Sequence, residues 1–393
     1  MNEKYTNLIN QDVPPAFSDE FKPVVIGSLR VWPPVVLAPM AGITNAPFRT
    51  LCRRFGAGLY VSEMVTARLL TQRHPKTVKL ASFASNERPR SLQLYGVDPF
   101  FVGEAVAQLV AEHHVDHIDL NFGCPVRKVT IKGGGAAIPL KPKLLRNIVR
   151  AAVENSGPIP VTIKFRIGIN ERYLTYLTAG KIAEEEGCAA VALHARTAAQ
   201  LYQGHAQWEA ITELKKAIQT IPVLGNGDIW EAYDALRMMR STGCDGVVVG
   251  RGCLGRPWLF RDLVDVFEGR DIQKPPTLGQ VADIMLEHAR LLCDWFDETF
   301  AMRSFRKHCT WYVKGFRSAP DLLVKLIRIE TYSDLEHALD QVVRDEPFPI
   351  SSLRKSRGKR RGKQKVALPA GYLDKLEDDM PPGVAAEAAT SGG

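Results

Sequence analysis

No apolar run in the 393 residues approaches the ~20 needed to cross a bilayer. The first residues, MNEKYTNLINQDVPPAF, mix acids and amides and lack the apolar core of a secretory signal, so a cytoplasmic protein with no membrane association is expected. Seven cysteines occur (Cys52, Cys124, Cys188, Cys244, Cys253, Cys293 and Cys309), an odd number, and no two form a C-x-x-C pair. That argues against a disulfide framework and against a structural zinc site, and no metal is expected. The chain does not open on a G-x-G-x-x-G turn, which speaks against a doubly wound dinucleotide fold. What is present is an ordinary globular balance, 45% apolar and 24% charged, enough for a large core.

The positive charge is uneven. The formal net charge is +8, and the eight Lys and Arg between Arg354 and Lys365, with no acid among them, equal that excess. Such a run reads as a solvated, disordered tail that gains affinity for a polyanion by releasing counterions.

Eight short β-branched runs recur: Val35–Met40, Leu59–Glu63, Ser91–Tyr95, His117–Phe122, Val161–Arg166, Ala190–Ala195, Val223–Gly227 and Gly246–Gly250. Each is apolar at nearly every position, as a strand buried on both faces should be. Helical patterns lie between them. One opens at Asp98-Pro99, a cap followed by proline at the first helical position, and runs through Ala111. Alternation of this kind over roughly 230 residues predicts an α/β fold, a (β/α)₈ TIM barrel. After Phe267 the character changes. Pro275-Pro276 is a linker, and Leu278–Phe296, Ala301–Phe316 and Asp321–Arg344 read as a small all-α helical domain. The predicted organisation is an N-terminal extension over 1–30, the barrel over 31–268, the helical domain over 277–346 and the basic tail over 347–393.

Barrel chemistry sits at the C-terminal strand ends, and the polar residues fall there. Gly225, Gly227, Gly250 and Gly252, with Arg251, make two adjacent glycine loops after the seventh and eighth strands, where barrels often bind phosphate on backbone N–H groups. Glycines can also serve only as tight turns, but two neighbouring loops plus an arginine favour the phosphate. Lys164 interrupts the apolar VTIKF; it either snorkels at the rim or holds an anion in the lumen. His194 is open to the same two readings, a satisfied core histidine or a phosphate contact. Cys124 stands between Gly123 and Pro125 directly after the fourth strand, where a thiol can donate a proton or, if activated, attack. In the helical region Met302–Arg317 interleaves cations with aromatics. Part of that segment must be a core stripe of Phe305, Cys309 and Tyr312, and the remaining cations form a positive face.

Together APMAGITNAPFR, LQLYG, DLNFGCP with the following KGGGAA, TIKFRIG, HARTAAQLYQG, GNGDI and GRGCLGRPW resemble the tRNA-dihydrouridine synthases, from about Val35 to Phe260. RKHCTWYVKG carries the likeness into the helical domain. The resemblance implies an FMN enzyme reduced by NADPH, with tRNA as partner and a helical tRNA-binding domain; a monomer is expected, though the sequence does not give the oligomeric state. It implies that Pro39, Met40 and Ala41 line the flavin, that Gln93 meets its polar edge, and that Lys164 lies at its N1 side. Asn226, Gly227, Asp228, Gly250, Arg251 and His194 would hold the phosphate. Cys124 matches the catalytic cysteine, giving a proton to uracil C5 as hydride reaches C6. Asn121, Arg166, Arg196, Arg303, Arg306, Lys307 and Lys314 are expected to face substrate or tRNA. Ala195 stands where many members have glycine, and the basic tail lies outside the common pattern. Two other readings remain: a flavin barrel acting on a small pyrimidine, as in dihydroorotate dehydrogenases, and an RNA-binding protein on an inactive barrel. The helical platform weighs against the first, and the set of Lys164, Cys124 and paired glycine loops against the second.

Overall fold

The computed structural model describes residues 5–358 and 362–383. Eight parallel strands close into a barrel: β1 (Val35–Leu37), β2 (Leu59–Thr66), β3 (Ser91–Tyr95), β4 (His117–Phe122), β5 (Val161–Arg166), β6 (Ala190–His194), β7 (Val223–Asn226) and β8 (Gly246–Val249). Closure is made by β8 on β1, with Val247 opposite Val35. The near-continuous apolar runs have a simple cause. One face of each strand meets the helices and the other meets the lumen, so β2 is buried at all eight positions. Because all strands run the same way, every C-terminal end opens on one mouth.

The opposite end of the barrel is plugged by a hairpin that the sequence did not reveal. Val24–Ile26 pairs antiparallel with Leu29–Val31, and Val24, Ile26 and Val31 pack with the lumenal Val36, Leu59, Val61, Leu224 and Val248. The hairpin therefore belongs with the barrel rather than to an extension, with Val24 and Ile26 in its core. Strands of three residues are too short to show a period.

Four helices, Leu278–Trp295, Glu298–Tyr312, Ala319–Leu326 and Tyr332–Leu339, follow with their own apolar core. The first starts on a capping box in which Thr277 and Gln280 satisfy each other's backbone N–H groups. This domain is seated firmly on the barrel. Gly255 has a φ of +64°, and a Cβ there would lie 2.3 Å from the backbone carbon of Trp311. Gly255→Ala should therefore force the two domains apart and cost about 3 kcal/mol, read as a lower urea midpoint. An unchanged midpoint would show that the seat is soft.

The basic tail departs from expectation. Arg354 pairs with Glu231 and Asp234, both at 2.9 Å. Arg357, 1% exposed, donates to the carbonyls of Trp311 and Ser352. Residues 362–383 then run as a strap along the barrel mouth. Val366, Leu368, Leu376 and the buried Tyr372 pack with Ala136, Ala137, Leu140, Ile169 and Ala198. Lys141 pairs with Asp378 at 3.0 Å. The tail holds position because barrel acids accept Arg354, main-chain carbonyls accept Arg357 and its sparse apolar residues find a partner surface. Lys359–Arg361 lie outside the described residues.

Candidate active site

The barrel lumen carries a chain of hydrogen bonds that leads up to the mouth. Asn121 Nδ2 donates to Gln93 Oε1 (2.8 Å), Gln93 Nε2 donates to Asp119 Oδ2 (2.7 Å), and Thr162 Oγ1 donates to Asp119 Oδ1 (2.7 Å). His117 continues the chain to Thr162 (2.9 Å) and Ser91 (2.7 Å). Burial holds His117 down to about 4, so the ring is neutral at pH 7. Burial pushes Asp119 up to about 6, against the hydrogen bonds from Thr162 and Gln93 and the Lys164 charge. Lys164 is lowered to about 8, first by burial and then by the Arg166 charge, while Asp119 opposes the shift. Pro39, Asp119, Lys164 and Val248 share a small cavity of about 20 Å³ in the lumen. Gln93, expected at a flavin edge, thus has both ends of its amide engaged inside the protein.

Above this chain, positive charge converges on one buried histidine. Burial holds His194 well below its ordinary value, and the charges of Arg166, Lys164, Arg196 and Arg251 push the same way. The four come from the ends of β5 and β6 and the loop after β8. Arg251 lies over the rings of Tyr202 (4.2 Å) and Trp230 (5.4 Å) and donates to Ser356 Oγ at 3.3 Å. Beside it, the glycine loops are shaped by close approach. Gly227 has a φ of +134°, and a Cβ there would sit 2.6 Å from that of Ala206. A Cβ at Gly252 would lie 2.0 Å from the Ile229 carbonyl oxygen. Asn226 is spent on the Val248 carbonyl (2.7 Å), and Gly250 closes β8.

Three residues expected to hold ligand or substrate also make hydrogen bonds within the protein. Asp228 accepts from Arg196 (2.7 and 2.8 Å) and from the Ala206 N–H (2.7 Å), so its carboxylate neutralises the arginine and ties down the loop. Arg196 is 2% exposed and also donates to the Gly204 carbonyl. Arg166, 4% exposed, gives its N–H groups to the carbonyls of Gly123, Thr197 and Leu201. Buried guanidiniums paired in this way cannot reach a tRNA backbone without leaving their carbonyls uncompensated.

Cys124 is half-buried at the mouth and in no disulfide. Asn121 Oδ1 accepts from the N–H groups of Gly123 (3.1 Å) and Cys124 (3.0 Å), which sets the bend. The glycine run lies against it. A Cβ on Gly135 would meet the Cys124 carbonyl at 2.6 Å, and one on Gly134 the Tyr95 hydroxyl at 2.0 Å. Cys52, Cys188 and Cys244 are buried small hydrophobes, and burial pushes their thiols up.

Pro39 and Met40 are half-buried at the mouth and Ala41 is exposed. Their loop is braced by Thr44, which accepts from the Met40 N–H at 2.9 Å. Glu63, which sequence reasoning passed over, accepts from the Gly42 N–H, while Lys307 donates to the Gly42 carbonyl. Lys307 is thus a bolt between the helical domain and the first mouth loop. Arg306 donates to the Ile329 carbonyl and Lys314 to that of Ser356; Arg303 is exposed. Phe305, Cys309 and Tyr312 are core, as the stripe predicts, with Phe316 beside them. Trp311 and Lys314 line a groove of about 630 Å³ between the helical domain and residues 356–358. Among the described residues no group could hold a metal ion and no helix is long and apolar enough to cross a membrane.

The mouth of the parallel barrel thus brings together Lys164, Arg251, the two glycine loops and, on the bend after β4, Cys124. The family model for dihydrouridine synthase (Dus) matches residues 36–346. A probable tRNA-dihydrouridine synthase of Mycobacterium tuberculosis (strain H37Rv) is 52% identical over 377 residues, covering 94% of this chain and 96% of that protein. A protein of the same name from Mycobacterium leprae (strain TN) is 49% identical, covering 91% and 100%. tRNA-dihydrouridine synthase B of Xanthomonas axonopodis pv. citri is 37% identical over 310 residues, covering 78% and 91%. The chain belongs to the dihydrouridine synthase family.

Proposed function

We propose that the protein reduces the C5–C6 double bond of uridine in tRNA, with FMN held in the barrel mouth, NADPH as reductant and Cys124 as proton donor. The observation that carries this reading is that Lys164, the buried His194 ring and Arg251 lie together beside the two glycine loops at the mouth that also holds Cys124. The donor set fits FMN. Backbone N–H groups at Gly227 and Gly250, with Arg251 and the His194 ring, suit a phosphate dianion. Lys164 suits the negative edge of a reduced flavin. Pro39, Met40 and Ala41 border the space for its ring. When bound, the flavin supplies the hydride to uracil C6.

The chain's own residues do the rest. The target base must leave its stack, at a cost of a few kcal/mol, to reach a mouth this deep. Trp311, Lys314 and the exposed Arg303 lie on the side where the helical domain meets the mouth, and they suit stacking and phosphate contacts. Asn121 aims the Cys124 bend, and the thiol gives its proton to C5. A small pyrimidine would need no helical domain bolted to the first mouth loop through Lys307.

The purified protein should be yellow, and heating should release FMN identifiable by mass and fluorescence. NADPH should bleach it, and tRNA lacking dihydrouridine should restore the colour while free uracil does not. A protein that neither carries nor takes up FMN, or that free uracil reoxidises as well as tRNA does, would overturn the proposal.

A further inference from the structure

The loop carrying Cys124 is stitched to the loop after β6 from two sides. From the lumen, Arg166 Nε donates to the Gly123 carbonyl (3.0 Å), and its Nη1 to those of Thr197 (3.0 Å) and Leu201 (2.9 Å). From outside, Gln364 of the strap donates through one amide nitrogen to the carbonyls of Pro125 (2.8 Å) and Ala198 (3.2 Å). Cys124 therefore sits between two anchored carbonyls, one on each side of it in sequence. The inner stitch comes from β5. The outer stitch comes from residues beyond 346, where the family match ends.

We propose that Gln364 is a positioning residue for Cys124, and that the strap 362–383 is through it a working part of the active site. The inference rests on the reading of Cys124 as proton donor. A primary amide carries two N–H groups splayed from one nitrogen, so it can bridge carbonyls of two different loops. Methionine has the length without the donors, and alanine has neither. The amide is itself delivered in register. The Gln364 N–H donates to the Ala199 carbonyl (2.9 Å) and the Lys363 N–H to Gln203 Oε1 (3.2 Å). Further along, the Tyr372 hydroxyl lies within hydrogen-bond reach of the carbonyls of Gly133 (3.2 Å), the first of the glycine run that lies on Cys124, and Ala137 (3.1 Å), two residues past its end. With the outer stitch removed, the bend keeps Arg166 and Asn121 but gains freedom on its solvent side. Displacement of a reacting group by about 1 Å can cost on the order of 10²-fold in rate, and losing one of two anchors should cost less.

The test uses the full chain with its flavin, as wild type, Gln364→Ala and Gln364→Met. Alkylation of Cys124 by iodoacetamide, followed by peptide mass mapping, should run several-fold faster in both variants. After NADPH reduction, reoxidation at saturating tRNA should slow by about tenfold, with little change in the tRNA concentration that half-saturates it. A purely structural role in tRNA binding would move the half-saturation and not the limiting rate. Gln364→Met behaving as wild type in both measurements, or only Gln364→Ala being impaired, would overturn the proposal, because bulk rather than the two hydrogen bonds would then matter. Failure of tRNA to reoxidise the wild type would instead sink the proposed reaction, and the alkylation rates would still decide whether Gln364 holds the loop.

Discussion

Cys124→Ala should keep its flavin, should still be bleached by NADPH, and should be reoxidised by tRNA about 10²–10⁴-fold more slowly, the usual worth of a positioned acid. The geometry separates the two half-reactions. The groups proposed to hold the flavin (Lys164, His194, Arg251 and the glycine loops) come from β5, β6 and the loops after β7 and β8, whereas the thiol stands on the bend after β4. Removing Sγ leaves intact the backbone that Asn121, Arg166 and Gln364 hold, because all three bind main-chain atoms around position 124. The hydride step alone would leave a carbanion at C5 with no proton source as close as the missing thiol. Stopped-flow absorbance of the flavin, with tRNA added to the reduced protein, measures the effect. Reoxidation at the wild-type rate would remove Cys124 from the mechanism, and loss of flavin would place it in the cofactor site instead.

Lys164→Met should weaken FMN binding by about 10–100-fold, the worth of a hydrogen bond to a charged group, and should abolish a pH dependence that the wild type shows. Burial holds Lys164 at about 8. A protonated lysine donates to the electron-rich N1–C2=O edge of the flavin in the proposed pose, so above pH 8 the apoprotein must take up a proton to bind. Affinity should then fall with rising pH, by about tenfold from pH 7 to pH 9. Burial puts Asp119 at about 6, already ionised, and Arg166 at about 10, still charged. His194 is neutral throughout, held well below its ordinary value by burial. Fluorescence titration of apoprotein with FMN across the series checks both statements. A flat wild-type profile, or a slope that survives Lys164→Met, would assign the proton to another group.

Several features of the site were legible one residue at a time. A lysine inside VTIKF has few comfortable places in a barrel strand, and the structure puts it at the head of the lumen beside Asp119. Cys124 stood out because glycine and proline flank it at a strand end, and it does sit at the mouth. The hydrogen-bond partners of Arg166, Arg196 and Asp228 were not legible. Each has the residue type of a ligand contact at a strand end. What decides their use is the partner: three carbonyls for Arg166, and each other for Arg196 and Asp228. Those partners lie in other strand loops, and no spacing within one motif reveals them. Lys307 was placed on a tRNA-facing side because it is a cation on a helix, yet it reaches 265 residues back to the Gly42 carbonyl.

The sequence by itself determined the barrel, the starts of its eight strands, the helical domain after it and the family, because a strand buried on both faces leaves an unbroken β-branched run and strand-end motifs recur in order; the ends of the first two strands fall three residues from where the runs stop. Only the tertiary structure decided what closes and completes that barrel. The plug is a hairpin of three-residue strands without a period, and its Val24 and Ile26 are recognisable as core only once the lumen they fill exists. The strap is the sharper case. Arg354 to Lys365 has the composition of a solvated polycation, but charge is a property of surroundings as well as of sequence. Glu231 and Asp234 accept Arg354, main-chain carbonyls surround Arg357, and a groove beside the glycine run takes Tyr372. Once these partners are in place, the chain is carried to the one position where the amide of Gln364 spans the two loops beside Cys124.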